Sequence, residues 1–541
     1  MLIRIAAILG LLGLFTDQTA VGQQVPLSQI DGVPGTLIIV GGGSVPEDVP
    51  KTIRRLAGDN GSVAILAEAA ESRDESASQA MKWLADSGFE DPARLVVVKA
   101  DDPTTHDLLS TVSGVWICGG QQQRLADAWK TTNVEEKLKS VLERGGVVAG
   151  TSAGAAIMSK VMIAGGNPVP EISAGWDLLP GSIVDQHFSQ RDRLPRLKAA
   201  VAQHAERVGF GIDEGTALVC QGRTLRVVGK GDVAVCLSSC SWRQDDLQTL
   251  KSGDVADLTQ LRRAARQRQQ QLNPGTPKFG AVRVESGALV IVGGGGMPPD
   301  VVQRFVELAG GENAHIVVLP TAVPKDQTDG SIPGFLKRAS IAKVTVLTQR
   351  GAEVESAEFQ EAMKSATGIW FGGGRQWNFV DAYEGTSAVA AFHDVLKRGG
   401  VIAGSSAGAT IQGEFLVRGH PLGNTVMMAD GYERGFAFLP GSAIDQHFAQ
   451  RKRFADLLPV VWTHPQMLGI GIDEGTALVV QGTHADVIGQ SAVHFVTRPM
   501  LDGISSFETL PNENDEAKNL FRTVKTGESI DLSSLPVQAK P

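Results

Sequence analysis

The chain has 541 residues, of which 42% are hydrophobic and 20% charged, a composition typical of globular proteins that argues against disordered, coiled-coil and collagen-like chains. The net charge of −9 comes with basic residues spread along the sequence, so nucleic acid is not expected as a partner. Glycine is abundant, at 63 residues, and glycine concentrates where a backbone turns tightly or approaches another group.

The first residues have the pattern of a secretory signal peptide. Arg4 precedes an apolar run at residues 5–15, and small residues near Gly22 favour cleavage after that position. The run is too short for a membrane-spanning helix, which takes ~20 residues. We therefore expect residues 1–22 to be removed on export. The mature protein is then periplasmic or extracellular, with no stable membrane insertion.

Export also permits disulfide bonds. Cys220, Cys236 and Cys240 lie close together in the sequence, whereas Cys118 stands apart. This spacing allows one bridge but does not describe a disulfide scaffold.

One domain occurs twice along the chain. Five blocks recur in the same order: LIIVGGG at 37–43 and LVIVGGG at 289–295, GVWICGG at 114–120 and GIWFGGG at 368–374, GGVVAGTSAGA at 145–155 and GGVIAGSSAGA at 399–409, LPGSIVDQHF at 179–188 and LPGSAIDQHF at 439–448, and GIDEGTALV at 211–219 and 471–479. The repeat predicts a first domain at 30–242, a linker at 243–284, a second domain at 285–500 and a C-terminal tail at 501–541. The linker is polar and rich in Arg and Gln, so we expect a solvated connector with an exposed helix. We expect the tail to wrap a surface or fray.

Apolar strand-like runs alternate with amphipathic segments inside each copy. Continuous apolar runs at 63–66, 95–98 and 115–117 are typical of parallel strands that are buried on both faces. Segments 77–87 and 132–143 have the helical period. The alternation predicts two tandem doubly wound α/β/α domains, in which loops after the strands carry the functional residues.

The glycine loop after the first strand does not match a dinucleotide-binding fingerprint. Gly41 and Gly43 are followed by Pro46 where the third glycine would stand, and Pro298 holds that place in the second copy. We expect a tight strand-to-loop turn near the active site instead.

The sequence around Ser152 and Ser406 is typical of a nucleophile elbow. Each serine lies in a GxSxG pattern between a buried apolar strand and small helix-forming residues. Small neighbours let the backbone turn sharply, and the N–H of the next residue, Ala153 or Ala407, can then bind an oxyanion. The structural alternative is a glycine-rich turn with a capping serine, but the same context in both copies favours a nucleophile.

A nucleophilic serine needs a base. Two pairs of histidines align between the copies, His187 with His447 and His204 with His464. The second pair lies in divergent sequence and is explained by the preference for histidine at a helix C-terminus. We therefore predict His187 and His447 as the bases.

The third member of each triad stays open between two neighbouring carboxylates. Glu214 and Glu474 each follow an aspartate, Asp213 or Asp473, at the end of a predicted strand. Either carboxylate could orient the imidazole and stabilise the imidazolium.

The GTSAGA, DQHF and GIDEGTALV blocks together resemble those of cyanophycinase and, more distantly, the aspartyl dipeptidases. These are serine peptidases with a class I glutamine amidotransferase-like fold, and the resemblance covers each copy from its first strand to the strand pair after GIDE. It implies Ser-His-Glu triads of Ser152, His187 and Glu214 and of Ser406, His447 and Glu474. It further implies oxyanion donors at Gly120 and Gly374 and substrate-contacting glutamines at Gln122 and Gln376.

Arginines follow each histidine. Arg191, Arg193 and Arg196 are cations suited to bidentate capture of carboxylates, although any one of them could belong to a solvated helix face. In cyanophycinases this stretch helps to bind the β-aspartyl-arginine unit. The resemblance thus implies these substrate-binding residues: Asp185, Gln186, Arg191, Arg193 and Arg196, with Asp445, Gln446, Arg451 and Arg453 in the second copy.

The second copy departs from the first at two positions of this pattern. Asp456 stands where the first copy has Arg196, and Arg375 stands where it has Gln121. The second pocket is therefore open to a different substrate, although both triads are complete and two competent sites are predicted.

These features predict an exported serine hydrolase that cleaves peptide or isopeptide bonds at aspartyl residues. Its substrate would be a peptide or polymer rich in Asp and Arg, most specifically cyanophycin or β-Asp-Arg peptides. An aspartyl dipeptidase-like exopeptidase or an esterase is the alternative among enzymes, and a non-catalytic exported binding protein is the alternative of another class.

Three further expectations concern chemistry and assembly. Glutamine amidotransfer is disfavoured because both elbows carry serine instead of cysteine. No metal or organic cofactor is needed, and no Cys/His ligand spacing is present. The two copies could pair within one chain, and the sequence leaves the oligomeric state open.

Overall fold

The computed structural model describes residues 32–89, 91–272, 282–328 and 330–537. The signal peptide predicted at 1–22 lies outside these ranges. Within them, no helix combines the length and the apolar character that crossing a bilayer requires.

The first copy alternates strands and helices. Its strands are β1 (Val33–Val40), β2 (Val63–Leu66), β3 (Leu95–Val97), β4 (Gly114–Ile117), β5 (Val147–Thr151), β6 (Val161–Gly165), β7 (Glu171–Ala174), β8 (Ser182–Gln186), β9 (Val208–Ile212), β10 (Thr216–Gly222), β11 (Thr224–Gly229), β12 (Val233–Leu237), β13 (Asp246–Leu250) and β14 (Val255–Asp257). Its α-helices are α1 (Asp48–Ala57), α2 (Arg73–Asp86), α3 (Pro103–His106), α4 (Gln122–Trp129), α5 (Val134–Glu143), α6 (Ala153–Ala156), α7 (Leu194–Gln203) and α8 (Leu258–Gln269).

The second copy repeats this order. Its strands are β15 (Ala288–Val292), β16 (His315–Leu319), β17 (Lys343–Val346), β18 (Gly368–Phe371), β19 (Val401–Ser405), β20 (Gly413–Phe415), β21 (Leu439–Gln446), β22 (Leu468–Ile472), β23 (Thr476–Gln481), β24 (His484–Gly489), β25 (Ala492–Val496), β26 (Arg522–Lys525) and β27 (Ser529–Asp531). Its α-helices are α9 (Pro299–Leu308), α10 (Gly334–Lys337), α11 (Ala357–Ser365), α12 (Gln376–Tyr383), α13 (Ser387–Lys397), α14 (Ala407–Thr410), α15 (Phe454–Thr463) and α16 (Asn514–Lys518).

Each copy is built on an eight-stranded sheet with the same topology. The strand orders are β3-β2-β4-β5-β1-β10-β11-β14 and β17-β16-β18-β19-β15-β23-β24-β27. The first five strands of each run parallel, and the last three pair antiparallel. A smaller sheet, β13-β12-β9-β8 or β26-β25-β22-β21-β20, lies beside it.

The spacing of apolar side chains along strands and helices explains how the layers pack. Along β1, Ile38 and Val40 join a core with α1 and α2, whereas Leu37 and Ile39 join a core with α4, α5 and α6 on the opposite face. In α5, apolar residues spaced three and four apart are buried, and two glutamates occupy the first turn, where the helix dipole favours them. The predicted doubly wound α/β/α fold is confirmed in both copies.

The segments predicted as linker and tail instead complete the two domains. β13 and β14, like β26 and β27, add one strand to the smaller and one to the larger sheet of their copy. These strands lie within or next to a further repeat that our sequence analysis missed. Its two copies are KSGDVADLTQL at 251–261 and KTGESIDLSSL at 525–535. The boundaries predicted at 242 and 500 are thus wrong, because each domain needs these strands to cover the edges of both sheets.

The helix predicted to be exposed in the linker is buried between the copies. In α8, Arg262 and Arg268 are each 1% exposed. Arg268 Nη2 lies 2.7 Å from Asp430 Oδ2 of the second copy. Likewise, Arg223 Nη1 of the first copy lies 2.8 Å from Asp381 Oδ2. The polar composition of this segment therefore reflects charge pairing across an interface and not solvation.

The disulfide considered for the first copy does not form. All four cysteines are free. Cys220 lies on β10 in the eight-stranded sheet, whereas Cys236 lies on β12 in the smaller sheet, so their closeness in sequence does not bring them together. Burial raises the pKa of the Cys220 thiol to about 12, which makes it inert.

Candidate active site

Both predicted nucleophiles lie on a strained turn between a strand and a helix. Ser152 separates β5 from α6 and has φ +52°, and Ser406 separates β19 from α14 and has φ +57°. A positive φ is uncommon for a residue with a Cβ. A Cβ on Gly150 would lie 2.5 Å from the carbonyl oxygen of Gly154, so the small neighbours are required for the turn.

In the first copy, the serine contacts a histidine, which in turn contacts a glutamate. Ser152 Oγ lies 2.8 Å from His187 Nε2, and His187 Nδ1 lies 2.5 Å from Glu214 Oε1. This order of contacts leaves Nε2 to exchange a proton with the serine, while the carboxylate fixes the ring through Nδ1.

The second copy has the same arrangement. Ser406 Oγ lies 3.0 Å from His447 Nε2, and His447 Nδ1 lies 2.5 Å from Glu474 Oε1. Neither constellation borrows a residue from the other copy.

The geometry distinguishes the two carboxylates that the sequence left open. Asp213 accepts hydrogen bonds from the backbone N–H groups of Ser189 and Asp232, and so ties the histidine loop to the next strand. Asp473 accepts in the same way from the N–H of Ala449 and from the hydroxyl of Ser491. The glutamate alone faces the imidazole in each copy.

A glutamine that the sequence analysis missed holds each glutamate in place. Gln190 Oε1 accepts the N–H of Glu214 at 2.9 Å, and Gln450 Oε1 accepts the N–H of Glu474 at 2.9 Å. Both glutamines stand three residues after the histidine, so their recurrence in the two copies was the available signal.

The strand-end glycines create space for the imidazole. Gly42 has φ +107°, and a Cβ there would lie 2.3 Å from His187 Cε1. A Cβ on Gly294 would lie equally close to His447 Cε1. The prediction of a tight turn beside the site is confirmed.

The predicted oxyanion donors have free N–H groups. In the described part of the chain, the N–H groups of Gly120 and Ala153 have no hydrogen-bond acceptor, and the same holds for Gly374 and Ala407. A Cβ on Gly119 would lie 3.4 Å from Ser152 Cβ, which places the glycine turn against the serine. Two donors beside a serine hydroxyl can bind the oxygen of a tetrahedral intermediate.

Burial controls the protonation of the bases. His187 and His447 are each 8% exposed. This burial lowers the pKa of both imidazoles, partly opposed by the hydrogen bond to the glutamate. The neutral form that can accept a proton is thereby favoured.

The arginines after His187 do not all face a ligand. Arg196 Nε and Nη2 form two hydrogen bonds to the fully buried carboxylate of Asp185, at 2.7 and 2.5 Å. Arg193 Nη1 donates to the carbonyl of Gln186 and to its Oε1. Only Arg191 is exposed and has no side-chain partner among the described residues. The expectation of three free cations is therefore corrected to one.

The second copy builds the same buried ion pair from a different part of the chain. Arg418 Nε lies 3.1 and 3.0 Å from the two oxygens of Asp445, and Arg453 Nη1 lies 2.9 Å from Asp445 Oδ1. Asp456, at the position of Arg196, pairs with Arg418 at 2.6 Å. Arg418 thus supplies the cation that is missing at position 456. Arg451 is exposed, like Arg191 of the first copy.

Replacing Arg418 by alanine is expected to destabilise the second copy by about 3 kcal/mol, because Asp445 loses a buried partner. Adding Asp456→Arg should recover much of this loss, since it recreates the arrangement of the first copy. Urea denaturation measures both, with the exposed Arg451→Ala as a control expected to stay within about 0.5 kcal/mol of the wild type. A cost for Arg418→Ala no larger than that of the control would contradict this account.

The remaining predicted residues are placed as follows. The side-chain Nε2 of Gln122 donates to the carbonyls of Ile163 and Ala164, and Gln376 Nε2 donates to those of Val417 and Arg418. Their amide nitrogens thus hold residues 163–164 and 417–418 in place and leave Oε1 available to a ligand. Gln446 is buried like Gln186.

Two other sequence predictions bear on the site. His204 and His464 are the C-cap residues of α7 and α15, as predicted. Within the described ranges, no three His, Cys, Asp or Glu side chains form a group that could hold a metal ion.

Comparisons with known proteins agree with the repeat. The family model for peptidase family S51 matches residues 37–228 and 289–488. A cyanophycinase of Trichormus variabilis is 44% identical over 137 residues, which is 24% of this chain and 46% of that protein. A cyanophycinase of Geminocystis herdmanii is 35% identical over 147 residues, which is 26% of this chain and 54% of that protein. The chain therefore spans about half the length of the curated relatives it matches.

Two solved structures are also similar. A peptidase from an acI-B1 actinobacterium has 22% identity and a TM-score of 0.34, covering 42% of this chain and 98% of its own. A putative peptidase E from Listeria monocytogenes has 16% identity and a TM-score of 0.30, covering 38% and 100%.

The two family matches coincide with the two copies and together cover more than half of the sequence. The chain therefore belongs to peptidase family S51 and carries the domain of that family twice.

Proposed function

We propose that each copy is a working serine peptidase that cleaves bonds at aspartyl residues, with cyanophycin or β-Asp-Arg peptides as the substrate. The observation that carries this proposal is the Ser–His–Glu contact chain beside two free N–H groups, repeated in both copies. A binding protein would have no need to keep this geometry twice.

The arrangement supports acyl transfer. The serine Oγ attacks the acyl carbon as His187 Nε2 takes its proton, and the N–H groups of Gly120 and Ala153 stabilise the oxyanion. The imidazolium, held by Glu214, then returns the proton to the leaving amine. Water attacks the acyl-enzyme by the same route and frees the acid.

The aspartyl preference rests on charge and on the named relatives. Arg191 and Arg451 are exposed cations near enough to the bases to lower the pKa of His187 and His447. A guanidinium there suits the free carboxylate of an aspartyl unit. Relatives with the name cyanophycinase are 44% and 35% identical to this chain over 137 and 147 residues.

The substrate test uses the full chain. Purified protein is incubated with cyanophycin, β-Asp-Arg, an α-Asp peptide and a short ester, and the released amine or alcohol is measured. Turnover of the β-aspartyl substrates above the others is expected. Preference for the α-Asp peptide or the ester would replace the aspartyl-isopeptide assignment, and no turnover of any of them would favour a binding protein.

We also propose that the protein is exported from the cytoplasm. Expression of the whole gene in a Gram-negative host, with fractionation and N-terminal sequencing, should find mature protein outside the cytoplasm beginning near Gln23. Full-length protein in the cytoplasm would contradict it.

The pH profile should reflect the lowered histidine pKa. The base accepts a proton only when neutral, so kcat/KM falls as pH drops through the pKa of the imidazole. Since burial lowers that pKa, the acid limb is expected below the ordinary value of about 6.5. Glu214→Gln should move the limb to still lower pH while reducing the rate, because the carboxylate raises the histidine pKa. The profile is measured in Ser406→Ala protein, and a limb above 6.5 would contradict the prediction.

A further inference from the structure

The two copies differ in one residue beside the proposed oxyanion turn while keeping the same backbone. The backbone N–H of Gln121 donates to the carbonyl oxygen of Ala69 at 2.8 Å, and that of Arg375 donates to the carbonyl oxygen of Ala322 at 2.8 Å. The preceding glycines have nearly the same φ, +142° and +145°. The side chains at 121 and 375 therefore start from equivalent points next to the nucleophile.

The Arg375 guanidinium has no counter-charge. Its Nη2 donates to the carbonyl of His420 at 3.0 Å, and its buried Nε has no hydrogen-bond partner. No carboxylate of the described residues lies within ion-pair distance. Burial without a neighbouring acid also lowers its pKa. A partly desolvated cation is costly unless an anion reaches it.

The buried arginines of this site differ from Arg375 because they pair with a carboxylate. Arg418 and Arg453 both meet the carboxylate of Asp445. Asp456, the acid that the second copy adds, pairs with Arg418 and not with Arg375. Arg375 is therefore not part of the internal ion-pair cluster.

Arg375 lies between the glycine turn and the segment at residues 417–420. A Cβ on Gly373 would lie 3.7 Å from Ser406 Cβ, so the turn touches the nucleophile. On the other side, the hydrogen bond to the carbonyl of His420 places the guanidinium against the segment at residues 417–420, which Gln376 also contacts. An unpaired cation thus lies beside the turn that contacts the nucleophile. In the first copy, Gln121 is neutral and exposed at the same place.

We propose that Arg375 is a specificity-determining residue that makes the second site prefer, among aspartyl peptides, those with a second carboxylate next to the scissile bond. The first site lacks this cation and has no preference for an acidic neighbour over a neutral or basic one, such as the arginine of β-Asp-Arg. The inference rests on the proposed peptidase function of the second site.

The test compares β-Asp-Glu with β-Asp-Gln, which have the same shape and differ by one charge. In Ser152→Ala protein, where only the second site is intact, the ratio of kcat/KM for the two peptides should favour β-Asp-Glu. Arg375→Gln should lower this ratio about tenfold, as expected for one charge-assisted hydrogen bond. Arg375→Lys should keep part of it. In Ser406→Ala protein, Gln121→Arg should raise the ratio at the first site.

A binding measurement separates this inference from the proposed function. In protein with both serines replaced, calorimetric titration should find tighter binding of β-Asp-Glu than of β-Asp-Gln, and Arg375→Gln should remove the difference. Turnover of both peptides with a ratio that Arg375→Gln leaves unchanged would overturn the inference alone. Absence of turnover with a retained Arg375-dependent difference in binding would overturn only the peptidase function, and equal binding would overturn the inference.

Discussion

Replacing both Ser152 and Ser406 by alanine is expected to lower kcat/KM on the β-aspartyl substrate by about 10⁴- to 10⁶-fold, the range found when triad nucleophiles are removed. Each hydroxyl lies 2.8 or 3.0 Å from the imidazole that would take its proton. Alanine removes the nucleophile while leaving the histidine–glutamate contact and the oxyanion turn.

The single variants test whether two sites work. No residue is shared between the triads, so each single variant should keep the activity of the intact site, and the two residual rates should sum to that of the wild type. The measurement is the initial rate of each variant on one substrate under identical conditions. Complete loss in Ser152→Ala alone would mean that the second triad does not turn over that substrate.

Gly42→Ala is expected to lower kcat/KM of the first site by about 100-fold, because a Cβ 2.3 Å from His187 Cε1 must displace the base. A shift of about 1 Å in a catalytic group commonly costs this much. Gly294→Ala should act in the same way on the second site.

Gly88→Ala is the matched control. Gly88 has the same φ of +107°, but a Cβ there meets nothing within 4 Å among the described residues. Both variants pay the backbone cost of an L-residue at positive φ, about 1–2 kcal/mol, and only Gly42→Ala collides with the imidazole. Each is made in Ser406→Ala protein and assayed by kcat/KM and by urea denaturation. Equal activity in the two variants would show that the glycine serves the turn and not the base.

The features that could be predicted from the sequence depend on local patterns. The strand–serine–helix elbow needs small residues at fixed spacing, so GxSxG with its apolar strand identified Ser152 and Ser406. Recurrence of DQHF in both copies singled out His187 and His447. The parallel sheet follows from continuous apolar runs, which only strands buried on both faces require. Each of these motifs is a short stretch of the chain, and its recurrence in the second copy strengthens it.

Other features depend on which distant segments meet. Asp213 and Glu214 are adjacent carboxylates, and the chain alone does not say which one faces the imidazole, because successive side chains in an extended backbone point in opposite directions. The aspartate at position 456 does not predict that Arg418 pairs with Asp445. In the first copy the arginine that pairs with Asp185 is Arg196 of α7, whereas Arg418 of the second copy follows β20. Both results needed the packed structure.

The duplication, the layered α/β architecture and the elements that hold the candidate serines and histidines could be predicted from the sequence, because they follow from short motifs and from the periodicity of apolar residues. Packing was needed to show that the glutamates, and not the neighbouring aspartates, contact the imidazoles, and that the polar helix α8 is buried between the copies. It was also needed to show that the cysteines stay apart and that no carboxylate among the described residues pairs with Arg375. The physical reason is the same in each case: hydrogen bonds and ion pairs between residues far apart in the chain depend on burial and direction, which spacing along the sequence does not record.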